Sequence, residues 1–264
     1  MTHPMSMSAT GRRCTLVGAG PGDPELLTIK AAKAIARATV LLVDDLVHPS
    51  VLAHASSTAR IVHVGKRGGC TSTPQTFIHK LMVQAVREGE SVVRLKGGDP
   101  FIFGRGGEEV EHLRAEGIQV DVINGITAGL AGLTSLGAPL THRDHAHGVV
   151  FVTGHAKPGD PGVDWAALSH MAHQVKLTLV IYMAVSRLHS IQNGLLQGLP
   201  DNTPVAIVQH ATLPNQRDAV TTLGELASTV ALEGLQSPSV IVVGDVVQGV
   251  RALHHPHNAD RLTA

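Results

Sequence analysis

Val17-Gly18-Ala19-Gly20-Pro21-Gly22-Asp23-Pro24 decides the reading of the fold. The run Arg13–Val17 reads as a strand and leads straight into it. Beyond it, Ile29, Ala32, Lys33 and Ile35 fall at helical spacing within Thr28–Ala38. A strand, a glycine-rich turn and a helix make one β–α unit, and open α/β sheets bind ligands at such turns, at the carboxyl ends of their strands. Glycines there let backbone N–H groups come close to a ligand. Gly18, Gly20 and Gly22 alternate and Pro21 sets the turn, so the stretch does not match the dinucleotide pattern G-x-G-x-x-G.

Outward from this turn the alternation continues. Thr39–Val43 reads as a strand followed by Asp44-Asp45, and Arg60–Val64 as a third strand followed by Gly65-Lys66-Arg67. Thr73-Pro74 opens a helix, with Pro at its first position, that runs to about Glu88 before Gly89 closes it. Ser91–Leu95 is a strand, Glu108–Ala115 a helix and Gln119–Ile123 a strand. Such alternation with continuous apolar strands predicts an α/β fold whose parallel sheet is covered on both faces. The second half is expected to repeat this style. Its strands are Val149–Thr153, Thr178–Met183, Val205–Gln209 and Ser239–Val243, and its helix is Thr222–Leu232, where Thr222 and Glu225 match a capping box. The expected division is a disordered leader over 1–13, an N-terminal α/β domain over 14–124, a C-terminal α/β domain over 125–253 and a tail over 254–264. The junction falls at Asn124–Thr127.

Composition narrows the function. Lys+Arg and Asp+Glu both count 21, so the chain lacks the cationic excess that a nucleic-acid backbone demands. Aromatics are 2%, too few for base-stacking platforms. Cys14 and Cys70 form no C-x-x-C pair, so neither a zinc site nor a disulfide framework is read. The histidines are scattered, apart from His254-His255-Pro256-His257 in the tail, and no metal is expected. The apolar runs fall far short of the roughly 20 residues of a membrane span. No membrane partner is expected, and the expected compartment is the cytoplasm.

A second glycine-rich stretch follows the fourth strand: Arg94-Leu95-Lys96-Gly97-Gly98-Asp99-Pro100-Phe101-Ile102-Phe103-Gly104-Arg105-Gly106-Gly107-Glu108-Glu109. A loop with so little intrinsic order is usually built around a ligand. Parallel strands put their carboxyl ends together. Asp44, Lys66, Arg67 and Asp99 should therefore converge with Gly18–Gly22 on one edge of the sheet.

These stretches are accompanied by Val64-Gly65-Lys66-Arg67, Gly125-Ile126-Thr127-Ala128-Gly129, Pro139-Leu140-Thr141-His142-Arg143-Asp144, Thr153-Gly154-His155 and Ile181-Tyr182-Met183. They stand in the order found in the tetrapyrrole methylases, and the sequence resembles that family from about Cys14 to Val250. Arg94–Glu109 is the most specific part. It resembles the branch acting on uroporphyrinogen III rather than relatives acting on later cobalamin precursors, diphthamide or ribosomal RNA.

The resemblance implies two α/β domains of the tetrapyrrole methylase type, with the active site in the cleft between them, and a homodimer. It implies S-adenosylmethionine-dependent C-methylation of uroporphyrinogen III at C2 and C7, giving precorrin-2 via precorrin-1 for siroheme and cobalamin biosynthesis, with S-adenosylhomocysteine as the second product. The family's donor site maps onto Pro21, Gly97, Gly98, Asp99, Ile102, Thr127, Ala128, Met183 and Ala211, and its proposed acid–base pair onto Asp44 and Lys66. Asp44 would stabilise positive charge on the attacked ring or accept a proton; Lys66 would donate a proton or bind a carboxylate. The acceptor is a polycarboxylate, so a neutral chain must gather cations locally, and Arg67, Arg105, His142 and Arg143 are the candidates. Three positions depart from the family pattern. Val43 stands where Tyr or His is usual, Asp45 adds a second carboxylate, and Asn124 stands where Pro commonly precedes Gly-Ile-Thr. The alternatives weighed are a later precorrin methyltransferase on the same fold, a NAD-dependent oxidoreductase built on Gly18–Gly22, and a non-catalytic tetrapyrrole carrier.

Overall fold

The computed structural model describes residues 12–65, 73–157 and 159–250. Lys66, Arg67, Cys70, nearly all of the expected leader and the tail over 254–264 lie outside the described residues. The chain divides into two compact units, Met1–Thr127 and Ala128–Ala264.

The first unit holds β1 (Arg13–Gly18), β2 (Val40–Val43), β3 (Arg60–His63), β4 (Val92–Lys96) and β5 (Gln119–Ile123), in the order β3-β2-β4-β1-β5. Every pairing is parallel. Arg13, counted above with the leader, begins β1 and pairs with Gln119. Helices α1 (Ile29–Arg37), α2 (Gln75–Arg87) and α3 (Gly106–Ala115) accompany the strands. Successive strand residues point to opposite faces. Leu16 and Leu42 thus join Met82, Val86 and Leu113 in one apolar cluster. Val17, Leu41 and Val43 join Ala31, Ile35 and Leu95 in another. Both faces of the central strands are buried, which is why β2 reads as an unbroken Val-Leu-Leu-Val. Thr28 caps α1 by accepting the Ala31 N–H at 3.1 Å, as its position suggests. Pro74 occupies the cap of α2 rather than its first turn.

The second unit holds β6 (Gly148–Thr153), β7 (Leu177–Tyr182), β8 (Pro204–Gln209), β9 (Arg217–Thr222) and β10 (Ser239–Val243), in the order β6-β7-β10-β8-β9. Here the expectation of a second parallel sheet fails. Only β6 and β7 run parallel, and the β7–β10, β10–β8 and β8–β9 pairings are antiparallel. An apolar run such as Val240–Val243 satisfies a doubly covered strand in either direction, so its composition carries no directional signal. The capping box at Thr222 is also corrected. Thr222 ends β9 opposite Pro204, and α7 (Leu226–Leu232) starts after Glu225, which makes no side-chain cap bond. Helices α4 (Ala128–Ser135), α5 (Trp165–Gln174) and α6 (Leu188–Leu195) complete the unit. Residues of α5, α6 and α7 pack on one face, among them Ala172, Ile191, Leu195 and Leu226. Leu133 of α4 packs on the other with Val180, Val208, Val242 and Val247.

Candidate active site

In the first unit the turns after β1, β4 and β5 meet backbone to backbone at the carboxyl edge of the sheet. The Ala19 N–H donates to Lys96 O at 2.8 Å, and the Gly98 N–H donates to Gly20 O at 2.7 Å. Gly20 (φ 79°) and Gly98 (φ 64°) are left-handed, a conformation that costs glycine nothing. A Cβ at Gly18 would lie 2.4 Å from the Gly125 nitrogen, and one at Gly125 would lie 2.2 Å from Gly98 O. The three turns are therefore as close as glycine allows.

Asp99 braces them. Its carboxylate is buried (6% exposed). It accepts the Phe101 N–H at 2.8 Å on one oxygen, and on the other the Gly125 N–H at 3.1 Å and the Asn124 amide at 3.0 Å. Asn124, the departure from proline, thus supplies a donor that proline lacks. Ile102 is tied into the same loop, its N–H donating to Asp99 O at 3.3 Å. Gly97 keeps its backbone bare, since a Cβ there would lie 2.6 Å from Leu46 Cβ. Pro21 lies in the β1 turn and Thr127 four residues beyond β5.

Asp44 follows β2 on this edge. Its N–H donates to Leu95 O at 3.0 Å. Its Oδ1 accepts the Asp45 N–H at 3.2 Å, and its Oδ2 lies 3.5 Å from Arg94 Nη2. A third of the side chain (34%) is open to solvent. The added carboxylate of Asp45 packs over Gly65, where a Cβ would fall 1.8 Å from its Oδ1.

Beneath Asp44 lies a buried charge cluster. Glu109 Oε1 accepts from Arg94 Nε at 3.1 Å, Lys96 Nζ at 3.2 Å and Gln75 Nε2 at 3.0 Å. Arg94 also donates through Nη1 to Leu42 O and Leu95 O. Burial pushes the Lys96 ammonium below its usual range, and the Arg94 charge adds to this, against Glu109. Burial likewise raises the Cys14 thiol to about 12. On the helices outside, His79 and His112 stack at 4.4 Å. Desolvation and the His112 charge lower the pKa of His79.

Arg105 is left-handed (φ 58°) and caps α3. Its guanidinium holds Glu108 with two bonds, 3.0 and 2.6 Å, and this pairing raises its pKa.

The second unit brings its own candidates to one edge. Met183 follows β7 with φ 53° and is 45% exposed. Ala211 follows β8, buried between His210 (φ 51°) and Thr212 (φ 67°). Left-handed residues other than glycine are strained and gather at functional sites. Ala128 opens α4, whose Gly129 N–H donates to Tyr182 Oη at 2.8 Å. A Cβ at Gly132, one turn on, would lie 3.7 Å from the Ala211 Cβ. Helix α4 therefore spans the ends of β7 and β8. His142 and Arg143 sit in an exposed turn closed by the His142–Ala146 bridge, where His142 Nδ1 accepts the Asp144 N–H at 3.2 Å.

Residues 13–227 match the family model described as Tetrapyrrole (Corrin/Porphyrin) Methylases. The chain belongs to the tetrapyrrole methylase family. Within it, the chain is 53% identical over 236 residues to a uroporphyrinogen-III C-methyltransferase of Pseudomonas aeruginosa, covering 89% of this chain and 94% of that protein. It is 47% identical to a siroheme synthase of Azotobacter vinelandii, covering 88% of this chain and 50% of that one. Among solved structures it resembles the uroporphyrin-III C-methyl transferase from Thermus thermophilus complexed with S-adenyl homocysteine. There the identity is 39% and the TM-score 0.74, over 90% of this chain and 94% of that one. Membership in a methylase family removes the dinucleotide oxidoreductase alternative.

The glycine turns and Asp44 were legible in the sequence of this family member, but Arg94, Lys96, Glu109 and Gln75 were not singled out for a role. A signal existed. Arg94 and Lys96 occupy alternate positions of a strand buried along its whole length, so both point to one covered face. Charges there demand a buried counter-ion.

Proposed function

We infer that the chain transfers methyl groups from S-adenosylmethionine to C2 and C7 of uroporphyrinogen III, making precorrin-2 by way of precorrin-1. The observation that carries the reading is the fusion of the Gly18, Gly98 and Gly125 turns, which leaves no room for a side chain and gathers three backbone turns at the strand ends. This fits a donor site of the family type. The residues assigned to the donor are Pro21, Gly97, Gly98, Asp99, Ile102, Thr127, Ala128, Met183 and Ala211. The half-exposed thioether of Met183 suits a soft, polarisable ligand surface.

When bound, the donor supplies an electrophilic methyl group on a sulfonium. The pyrrole carbon of the acceptor is itself the nucleophile, so no side chain has to attack. The protein's share is positioning, which is worth several kcal/mol in such displacements. Asp44 faces solvent beside Arg94, so its carboxylate is available either to stabilise positive charge on the attacked ring or to take a proton. Lys66 is its assigned partner. Arg67, Arg105, His142 and Arg143 are assigned to the acceptor's carboxylates. Of these, Arg105 already holds Glu108, so it would meet a carboxylate only with the donors that pairing leaves over. The reading extends to a cytoplasmic homodimer whose product serves siroheme and cobalamin synthesis. Among the described residues, no helix is long and apolar enough to cross a membrane.

Uroporphyrinogen III incubated with methyl-labelled donor should gain two labels per macrocycle and the absorption spectrum of precorrin-2. Absence of label, with turnover of a cobalt-containing precorrin instead, would transfer the chain to the later steps of the family.

A further inference from the structure

We propose that Arg94, clamped by the buried Glu109, is a positioning residue for Asp44 and acts on catalysis only through that carboxylate. The inference rests on Asp44 being the reactive carboxylate of the proposed methyl transfer. Two of the three nitrogens of the Arg94 guanidinium are fixed by three hydrogen bonds. Its Nε is held by Glu109 at 3.1 Å, and its Nη1 donates to Leu42 O at 3.3 Å and Leu95 O at 3.1 Å. Arg94 and Glu109 are both buried, so neither geometry is free to relax toward water. The remaining arm, Nη2, faces Asp44 Oδ2 at 3.5 Å. Among the described residues, the Asp44 carboxylate also accepts the Asp45 N–H on Oδ1. It thus has its own turn on one side and, at ion-pair distance on the other, a guanidinium that cannot swing.

A buried cluster of this kind is a poor stabiliser, because desolvating its charges offsets their attraction. Two cations sharing one oxygen of Glu109, while Oε2 has no partner, are not an arrangement that stability alone favours. Aiming a reactive group gives the cluster a physical reason. Lys96 is the other cation on Glu109 and runs directly into Gly97-Gly98. The rival role is therefore support of the donor turn.

The test is a double-mutant cycle on the full chain, read by single-turnover methyl transfer to uroporphyrinogen III, by the KM for that acceptor and by calorimetric affinity for S-adenosylhomocysteine. Arg94→Lys keeps the charge but loses the fixed fork, and Glu109→Gln keeps the size but loses the clamp. Each should lower kcat by about tenfold to a hundredfold, the usual cost of a group displaced by about 1 Å. KM and donor affinity should stay within a few-fold. In the Asp44→Ala background the same substitutions should cost almost nothing more, since the effect passes through the missing carboxylate. An undiminished loss in that background overturns the proposal, as does a loss confined to donor affinity, which assigns the cluster to the Gly97-Gly98 turn. Should Arg94→Lys fail to fold, Glu109→Gln decides by the same criteria. Should Asp44→Ala alone leave kcat intact, the assignment of Asp44 fails first and this inference with it, a result distinct from failure of the cycle.

Discussion

Replacing Asp99 with alanine removes the acceptor of three hydrogen bonds at once, from Phe101 N–H, Gly125 N–H and the Asn124 amide. The Asn124 side chain belongs to an exposed residue and can turn to water. Phe101 is half exposed, so its N–H is only partly shielded. The Gly125 N–H cannot turn away, because Gly125 is wedged against Gly98 and Gly18 with Cβ clearances of 2.2 and 2.9 Å. A hydrogen bond to a charged group contributes about 1.5–3 kcal/mol, and a buried donor left unpaired costs about 1–3 kcal/mol. The losses share one carboxylate and do not add in full, so we expect about 3 kcal/mol, or roughly a hundredfold in the folding equilibrium. Chemical denaturation should be followed by far-UV circular dichroism. The only tryptophan, Trp165, lies in the second unit and would report the wrong half of the chain. Affinity for S-adenosylhomocysteine should fall in parallel, because the same bonds hold the donor turns together. Asn124→Ala should cost about 1 kcal/mol alone and nothing further once Asp99 is gone. A loss below about 1 kcal/mol with donor affinity unchanged would refute the brace. Lost affinity at full stability would show that the carboxylate grips the donor instead of the turns.

Two further outcomes follow from the shifted groups. The Cys14 thiol, raised to about 12 by burial, should resist iodoacetamide at pH 8 in the native chain and react on denaturation; mass mapping of its peptide checks this, and rapid native labelling would contradict the burial of β1. His79 has its pKa lowered in the folded state, so folding holds fewer protons there than the open chain does. The stability it contributes is complete above the ordinary imidazole value of about 6.5 and is lost as pH falls below it. His79→Gln should therefore lose less stability between pH 7 and pH 5 than the parent, and an identical slope would refute the assignment.

Much of the first unit could be read from the chain alone because its signals are local. A strand running into Gly18–Gly22, or into Lys96–Asp99, announces a β–α turn, and the parallel topology it implies brings every such turn to one edge. The same topology places Asp44 on that edge, directly after β2. The second unit resisted because Val240–Val243 looks the same whichever way it runs, and Arg217–Thr222 is a polar edge strand with a pattern too weak to separate from a helix start. Direction and pairing there depend on how the chain returns, which is a property of the whole sheet.

Residue types and their order along the chain were enough to establish the family, the glycine turns and the candidate carboxylate. Tertiary contact alone decided that Asp99 faces inward to Gly125, 26 positions away, and that Arg94 meets Glu109, 15 positions on. Partners that far apart leave no periodic trace. The energy that selects them, an ion or amide that must find its counterpart once water is excluded, exists only after the strands and helices have closed around it.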